Sequence, residues 1–357
     1  MKESQRNYKR IVVKIGSSLF STDKRLDLDI FRSFKIISNI SALMDLEKKE
    51  IVIVSSGAIA LGMGLMKMQG RPKELPLLQA TAAIGQNALM DNYSQYFKKY
   101  GIICAQILLT WDDFDDRQRY LNAKNTLLGL IKLGVVPIIN ENDTISTDEI
   151  KFGDNDRLSS LVANLINADL LIILSDVDGL LDENKKVIPL VTEINSSIRS
   201  LACPTSNKTC VGGMLTKLEA AKIAVDSGIP CVIANGRSEN IIFRVIMNPV
   251  QYGTLFVPKK EYLADKERWI AFGTKAKGKI IIDEGAKRAL LNKKSLLSVG
   301  VVGAEGNFGS GDIVSIIDIK DNAIARGKVG ISAKELDKVK GSHSDKEVVH
   351  CDNIVIL

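Results

Sequence analysis

The sequence predicts an α/β protein with a mainly parallel sheet sandwiched by helices, followed by a small β-rich domain. Three observations carry this reading. Short runs dense in Ile, Val and Leu recur through the first two-thirds of the chain, as strands covered on both faces require. Longer stretches of helical periodicity separate them, and strand–helix alternation of this kind builds parallel sheets. After about residue 258 the texture changes to brief β-like runs between glycine-rich turns.

The candidate strands are, in order, Ile11–Ile15, Ile51–Val54, Ile102–Leu109, Val135–Ile139, Leu170–Leu174 and Pro230–Ala234. Between them, Leu158–Asn167 collects Leu158, Leu161, Val162, Leu165 and Ile166 on one helical face. A second helix runs from Lys217 to about Ser227 and is closed by Gly228 at a position suited to a left-handed cap. Ligands of such folds bind beyond the carboxyl ends of the strands. Lys14, Ser56, Asp143 and Asp176 each follow a strand closely, so they are expected to meet at one sheet edge. The expected division is an α/β domain over 1–258, a charged connector over 259–275 and a β-rich domain over 276–357. In the last of these, Lys279–Ile282, Ser298–Val302, Asp312–Ile317 and Ala323–Val329 read as strands, with one helix at about Glu284–Asn292.

Composition narrows the chemistry. Hydrophobic residues at 45% and charged residues at 25% are ordinary for a soluble domain protein. No apolar run approaches the ~20 residues that cross a bilayer, and Met1–Arg10 lacks the apolar core of a secretory leader. A cytoplasmic location is therefore expected. The net charge of +6 suits small anions and is too weak to argue for nucleic acid. The five cysteines are odd in number and form no C-x-x-C pair, so neither a disulfide framework nor a zinc site is suggested. Both histidines, His343 and His350, lie near the C-terminus. Catalysis in the main body must therefore proceed without imidazole.

Two lysines point to phosphate. Lys14 ends the first apolar run, and Lys217 follows the Gly212-Gly213 pair at the start of a helix. A cation in a helix's first turn opposes the dipole unless an anion sits between it and the exposed N–H groups. Neither G-x-x-x-x-G-K-[ST] nor a strand-following G-x-G-x-x-G occurs, which demotes P-loop and dinucleotide-binding architectures. Val54-Ser55-Ser56-Gly57-Ala58 reads as a strand entering a tight turn, where Gly57 admits close backbone approach and Ser56 offers a hydroxyl. The plain alternative is an ordinary strand–helix turn with a serine cap. Asn140-Glu141-Asn142-Asp143 and Gly153-Asp154-Asn155-Asp156 concentrate carboxylates and amides near strand ends. One residue of the second group is expected to cap the helix beginning near Leu158. Capping does not explain three polar residues in succession plus a second cluster. Leu174-Ser175-Asp176-Val177-Asp178-Gly179 adds a polar turn after another buried strand. These parts fit phosphoryl transfer, in which lysines, backbone N–H groups and Mg²⁺ position and neutralise charge.

As an ordered set, Val13-Lys14-Ile15-Gly16-Ser17-Ser18, Val54-Ser55-Ser56-Gly57-Ala58-Ile59-Ala60, Asn140-Glu141-Asn142-Asp143, Phe152-Gly153-Asp154-Asn155-Asp156, Leu174-Ser175-Asp176-Val177-Asp178-Gly179-Leu180 and Gly212-Gly213-Met214-Leu215-Thr216-Lys217 resemble the amino acid kinase family. The resemblance covers essentially the whole chain, and the tail from about Ala276 is similar to a PUA module. It is nearest to members that phosphorylate the side-chain carboxylate of L-glutamate from ATP, giving L-glutamyl 5-phosphate at the start of proline synthesis. The resemblance implies ATP and Mg²⁺ as cofactors, without a protein metal site. It implies Lys14 and Lys217 on the nucleotide phosphates, with Asp156 orienting them. It assigns Ser56, Gly57, Asp143 and Asn155 to the substrate. Ser175, Asp176, Val211, Gly212, Gly213, Met214, Leu215 and Thr216 go to the nucleotide. Trp111–Tyr120 matches a loop near the substrate that bears on feedback inhibition by proline. Further implied partners are a second copy of the chain, as a dimer or tetramer, and a glutamyl phosphate reductase.

There are departures from the family pattern. Cys210-Val211 stand where Gly-Thr is usual, removing a flexible glycine and a hydroxyl donor, and Leu181 stands where tyrosine is common. Two other readings remain open. One is another small-molecule kinase of the same fold, acting on acetylglutamate, aspartate or a nucleoside monophosphate. The other is RNA binding by the tail. From Ala276 onward, 13 Lys and Arg face 11 Asp and Glu, a net of +2, with Phe308 the only aromatic residue. That is a poor surface for stacking single-stranded bases.

Overall fold

The computed structural model describes residues 8–19, 21–22, 25–28, 30–145, 154–202, 213–258, 263–342 and 347–357. The described residues fall into two compact units. One comprises those of Met1–Thr110 and Tyr120–Tyr262; the other comprises those of Trp111–Arg119 and Leu263–Leu357.

The first unit is built on an eight-stranded sheet. Its order is Cys104–Leu109, Val136–Glu141, Glu50–Ser55, Arg10–Ile15, Leu170–Ser175, Cys231–Asn235, Thr254–Phe256 and Leu190–Val191. All neighbours run parallel except Thr254–Phe256, which is antiparallel to Cys231–Asn235. The six strands predicted for this unit are all present, within two residues of their expected starts, whereas the later one expected over Ser298–Val302 begins only at Val301, after a 3-10 turn over Ser298–Gly300. Arg10–Ile15 is central, and its Ile11, Val12 and Val13 are fully buried, as a strand covered on both faces demands. Its last residues pair with Ser55 on one side and Leu174 on the other. The ends of these three strands therefore lie side by side.

Two helices govern the geometry above that edge. Ala58–Leu65 packs against Leu75–Lys98 through glycines, with Gly62 facing Thr81 and Gly85 facing Ala58. The other helix, Asp154–Leu165, begins four residues earlier than the sequence suggests. Asn155 and Asp156 therefore lie inside its first turn and are not caps. Met214–Asp226 ends at Ser227, and Gly228 adopts the left-handed conformation (φ 80°) expected of it.

The second unit carries a five-stranded sheet in the order Val301–Gly306, Gly278–Ile282, Ile313–Asp318, Ala323–Lys328 and Ile354–Ile356. It is antiparallel apart from the pairing of Gly278–Ile282 with Ile313–Asp318. Ile280, Ile316, Leu336 and Val348 centre its core. Within this unit the Trp269 indole donates to the Phe114 carbonyl (3.0 Å), and the Lys275 amide donates to Asp115 (3.0 Å). The Arg117 guanidinium lies 5.3 Å from the Trp269 ring centre. No helix among the described residues is long and apolar enough to cross a membrane.

Candidate active site

Beyond the strand ends lies a cavity of about 440 Å³. Lys14, Ser56, Gly57, Asp143, Asn155, Asp156, Ser175, Asp176, Gly213, Thr216 and Lys217 all line it. Met214 and Leu215 sit in the first turn of the adjoining helix and are not among the lining residues. Val211, Gly212 and Gly153 lie outside the described residues.

At its centre one carboxylate faces two ammonium groups. Lys14 Nζ lies 2.6 Å from Asp156 Oδ1, and Lys217 Nζ lies 3.2 Å from Oδ2. Thr216 donates its hydroxyl to the same Oδ2 at 2.9 Å, and Lys217 Nζ also donates to Gly213 O at 3.2 Å. The three ionisable residues are only 6%, 1% and 9% exposed (Lys14, Asp156 and Lys217). Burial alone would raise the Asp156 carboxyl, but the two lysines pull it below the usual carboxylate range. Burial lowers Lys14, opposed by Asp156 and reinforced by the like charge of Lys217. At contact distance a single carboxylate thus serves two ammonium groups, and Asp176 adds only a weaker attraction on Lys14. The surplus cation is desolvated and calls for an anion.

The donor groups around that surplus are backbone amides. Gly213 takes a positive φ of 83° ahead of Met214–Asp226 and, as the N-cap of this 13-residue helix, offers no side-chain acceptor. Its first N–H groups are positioned for phosphate oxygens together with Lys217. Gly57, at φ 106°, likewise opens Ala58–Leu65 without a side-chain cap. A left-handed residue followed at once by a helix favours glycine at this point.

Asn155 ties the polar groups at the strand ends together. Its Nδ2 donates to Ser55 O (3.1 Å), Ser56 Oγ (3.0 Å) and Asn140 Oδ1 (2.9 Å). Asn140 in turn donates to Gln86 Oε1 at 2.8 Å, and Ser55 Oγ meets the Tyr93 hydroxyl at 2.9 Å. The polar groups at the strand ends are therefore fixed from the long helix Leu75–Lys98. Ser175 donates to Asp176 Oδ1 at 3.0 Å. Desolvation would raise the Asp176 carboxyl, yet hydrogen bonds from its own backbone, Ser175 and Ser18, with Arg237 nearby, hold it below the usual range.

Sequence reasoning assigned no role to several other lining residues, among them Asn140 and Arg71. Asn140 was visible in its cluster, but its role as the acceptor that orients Asn155 was not. Arg71 also lines the cavity, and it follows Gly70 in a loop with no periodicity or motif to mark it.

The amino acid kinase family model matches residues 9–235, and the PUA domain model matches residues 278–350. The chain is 44% identical to a protein of Thermoanaerobacter sp. (strain X514) named glutamate 5-kinase, over 98% of both chains. It is 43% identical to the glutamate 5-kinase of Carboxydothermus hydrogenoformans over the full length of both. The glutamate 5-kinase of Dictyoglomus turgidum is likewise 43% identical over 98% of each chain. With the paired lysines, their shared aspartate and the strand-edge cavity in place, the chain belongs to the amino acid kinase family and carries a C-terminal PUA domain.

Proposed function

We propose that the chain transfers the γ-phosphoryl group of ATP to the side-chain carboxylate of L-glutamate, giving ADP and L-glutamyl 5-phosphate. The observation that carries this reading is the buried group of Lys14, Asp156 and Lys217, whose surplus positive charge a phosphate chain would neutralise. Similarity over the whole length to proteins named glutamate 5-kinase supports the choice of acceptor.

The acceptor carboxylate, with an ordinary pKa of about 4.3, is ionised at neutral pH and needs no general base. One of its oxygens bonds to the γ-phosphorus as the bond to the β–γ bridging oxygen breaks. The electron pair of that bond leaves with ADP. Lys14 and Lys217 offset charge on the transferring group throughout, and Asp156 keeps both ammonium groups aimed inward. Ser56, Gly57, Asp143 and Asn155 hold the acid, with Gly57 against the reacting groups. Ser175, Asp176 and the segment from Val211 to Lys217 hold the nucleotide.

Mg²⁺ fits the donor chemistry. Both Asp156 oxygens are engaged by lysines; Asp176, on the side assigned to the nucleotide, is the carboxylate that would hold an ion arriving with ATP, and the ion would supply charge neutralisation on phosphate oxygens. The same reading takes residues 1–258 as catalytic, 259–275 as a connector and 276–357 as the appended domain. It carries with it cytoplasmic action, a dimeric or tetrameric assembly, inhibition by proline and coupling to a glutamyl phosphate reductase.

The test is ADP release by purified protein with ATP, Mg²⁺ and L-glutamate, with and without proline. Acetylglutamate, aspartate and nucleoside monophosphates form the comparison panel. Faster turnover of any of these would displace L-glutamate as the acceptor.

A further inference from the structure

The second unit gathers imidazole, thiol and carboxylate groups on three successive residues, and among the described residues this is the one place where three such groups meet. His350, Cys351 and Asp352 form the turn between the strands Glu347–Val349 and Ile354–Ile356. Hydrogen bonds hold the backbone of each. Asn353 N donates to His350 O at 2.9 Å, Cys351 N donates to Ser295 Oγ at 3.0 Å, and Lys266 Nζ donates to Asp352 O at 3.0 Å. The turn is thus fixed, while the His350 and Asp352 side chains remain 48% and 78% exposed.

The donor atoms are spaced as ligands of one ion. Cys351 Sγ lies 3.8 Å from His350 Nδ1 and 3.8 Å from Asp352 Oδ1, and Nδ1 lies 3.6 Å from Asp352 Oδ2. Tetrahedral Zn²⁺ with ordinary bond lengths separates its sulfur from nitrogen or oxygen by about 3.6 Å, and nitrogen from oxygen by about 3.4 Å. Each observed edge exceeds this by only about 0.2 Å, and rotating the exposed Asp352 carboxylate presents one oxygen to both partners. Asp352 N donates to Nδ1 at 3.2 Å, which places the ring proton on Nε2 and leaves Nδ1 the lone pair a metal requires. That bond stands at the long end of the normal range, so a metal displaces it at small cost. The mixed donor set suits zinc and not Mg²⁺, which takes oxygen ligands.

We propose that His350, Cys351 and Asp352 bind one Zn²⁺ ion through imidazole, thiolate and carboxylate, in a site formed by the second unit alone. The thiol gives up its proton to solvent as the metal–sulfur bond forms, and thiolate and carboxylate together then balance the charge of the ion. Three protein ligands leave a fourth position open. His350 also lines a cavity of about 580 Å³ with Trp269 and Asn353, so water or a small ligand held there completes the shell. Spacing rules that look for C-x-x-C pairs pass over ligands on adjacent residues, which is why the sequence does not suggest this site.

Titrating chelator-treated full-length protein with Co²⁺, the spectroscopic stand-in for Zn²⁺, tests this without recourse to turnover. A near-ultraviolet thiolate-to-cobalt band is expected to saturate at one equivalent and to vanish when Zn²⁺ is added. Cys351→Ser should abolish the band, and Cys104→Ser should keep it. In competition with a chromophoric chelator, His350→Ala and Asp352→Asn should each weaken Zn²⁺ binding by at least about tenfold. Zn²⁺ should raise the Tm of the wild type and leave that of Cys351→Ser unmoved, while the two proteins unfold together in its absence. No thiolate band in the wild type, a band that survives Cys351→Ser, or unchanged Zn²⁺ affinity in His350→Ala overturns the assignment.

Discussion

A Cβ atom on Gly85 would fall 1.7 Å from the carbonyl oxygen of Ala58, so these two residues bring their helices into backbone contact. Ala58 opens the helix whose uncapped end lines the cavity, and Gly85 belongs to the long helix that carries Gln86. Replacing Gly85 with alanine gains about 1 kcal/mol of helix propensity. The collision is with backbone, which cannot rotate aside, and overpacking of this kind costs about 1–3 kcal/mol. The clash wins. Gly85→Ala is expected to lower Tm and raise the L-glutamate KM together, because the Ala58 helix must move with Gly57 attached. Thermal unfolding and initial rates check it, and a stabilised variant with normal KM would contradict the packing argument.

Removing a cation and removing the shared anion should have opposite consequences for stability. In Lys217→Ala, Lys14 and Asp156 remain a one-to-one pair, so the fold is expected to survive while kcat falls by about 10²- to 10³-fold. In Asp156→Asn, two buried ammonium groups lose their common counterion, and stripping one partner from a buried ion pair costs about 3–5 kcal/mol. That variant should unfold at a clearly lower temperature and be restabilised by ATP more than wild type is. Calorimetry of both variants with and without nucleotide reads this out; equal Tm values in the absence of ATP would remove the charge-surplus argument.

The parallel core was legible because burial on both faces leaves an uninterrupted apolar signature, as in Ile51–Val54 and Leu170–Leu174. The sheet's far edge was not, since Leu190–Val191 and Thr254–Phe256 are too short to show any period. The helix Ala333–Val339 did announce itself, through a capping box in which Ser332 and Glu335 satisfy each other's backbone, and that signal went unread. Lys14, Asp156 and Lys217 were recoverable because each stands in a recognisable strand-end or helix-start segment. Arg71 belongs to no such segment, and its place on the cavity wall arises only when the loop folds over the sheet edge. The attachment of Phe114 to Trp269 spans 155 positions along the chain and leaves no local trace.

Asp143 should act on binding rather than on the chemical step. It lines the cavity, whereas the lysine pair proposed to meet the transferring group is served by Asp156. Asp143→Ala is expected to raise the L-glutamate KM by about tenfold or more, with kcat within a few-fold of wild type, as loss of uniform binding requires. Steady-state kinetics at saturating ATP measures the split. A fall in kcat with KM unchanged would remove Asp143 from the substrate site.

Lys14 is expected to set the alkaline limit. Burial, the largest influence, and the nearby Lys217 charge lower its pKa from the ordinary 10.5, so the folded enzyme releases this proton before an unfolded chain would. Between the folded value and 10.5 the unfolded state binds more protons, and stability linked to Lys14 therefore rises with pH across that window. Activity must move the other way, since a neutral amine cannot offset phosphate charge. The kcat/KM for ATP, which reports the free enzyme, is expected to decline with a midpoint below 10.5 while Tm does not fall in parallel. Asp156 behaves as the acidic counterpart: its carboxyl is held below the usual range, so its contribution is complete above the ordinary carboxylate pKa and fades as pH drops through the lower folded value. Rate and unfolding profiles measured on the same samples distinguish the two groups. An alkaline decline in which activity and Tm fall together would mean that global unfolding, and not loss of the Lys14 charge, limits the enzyme at high pH.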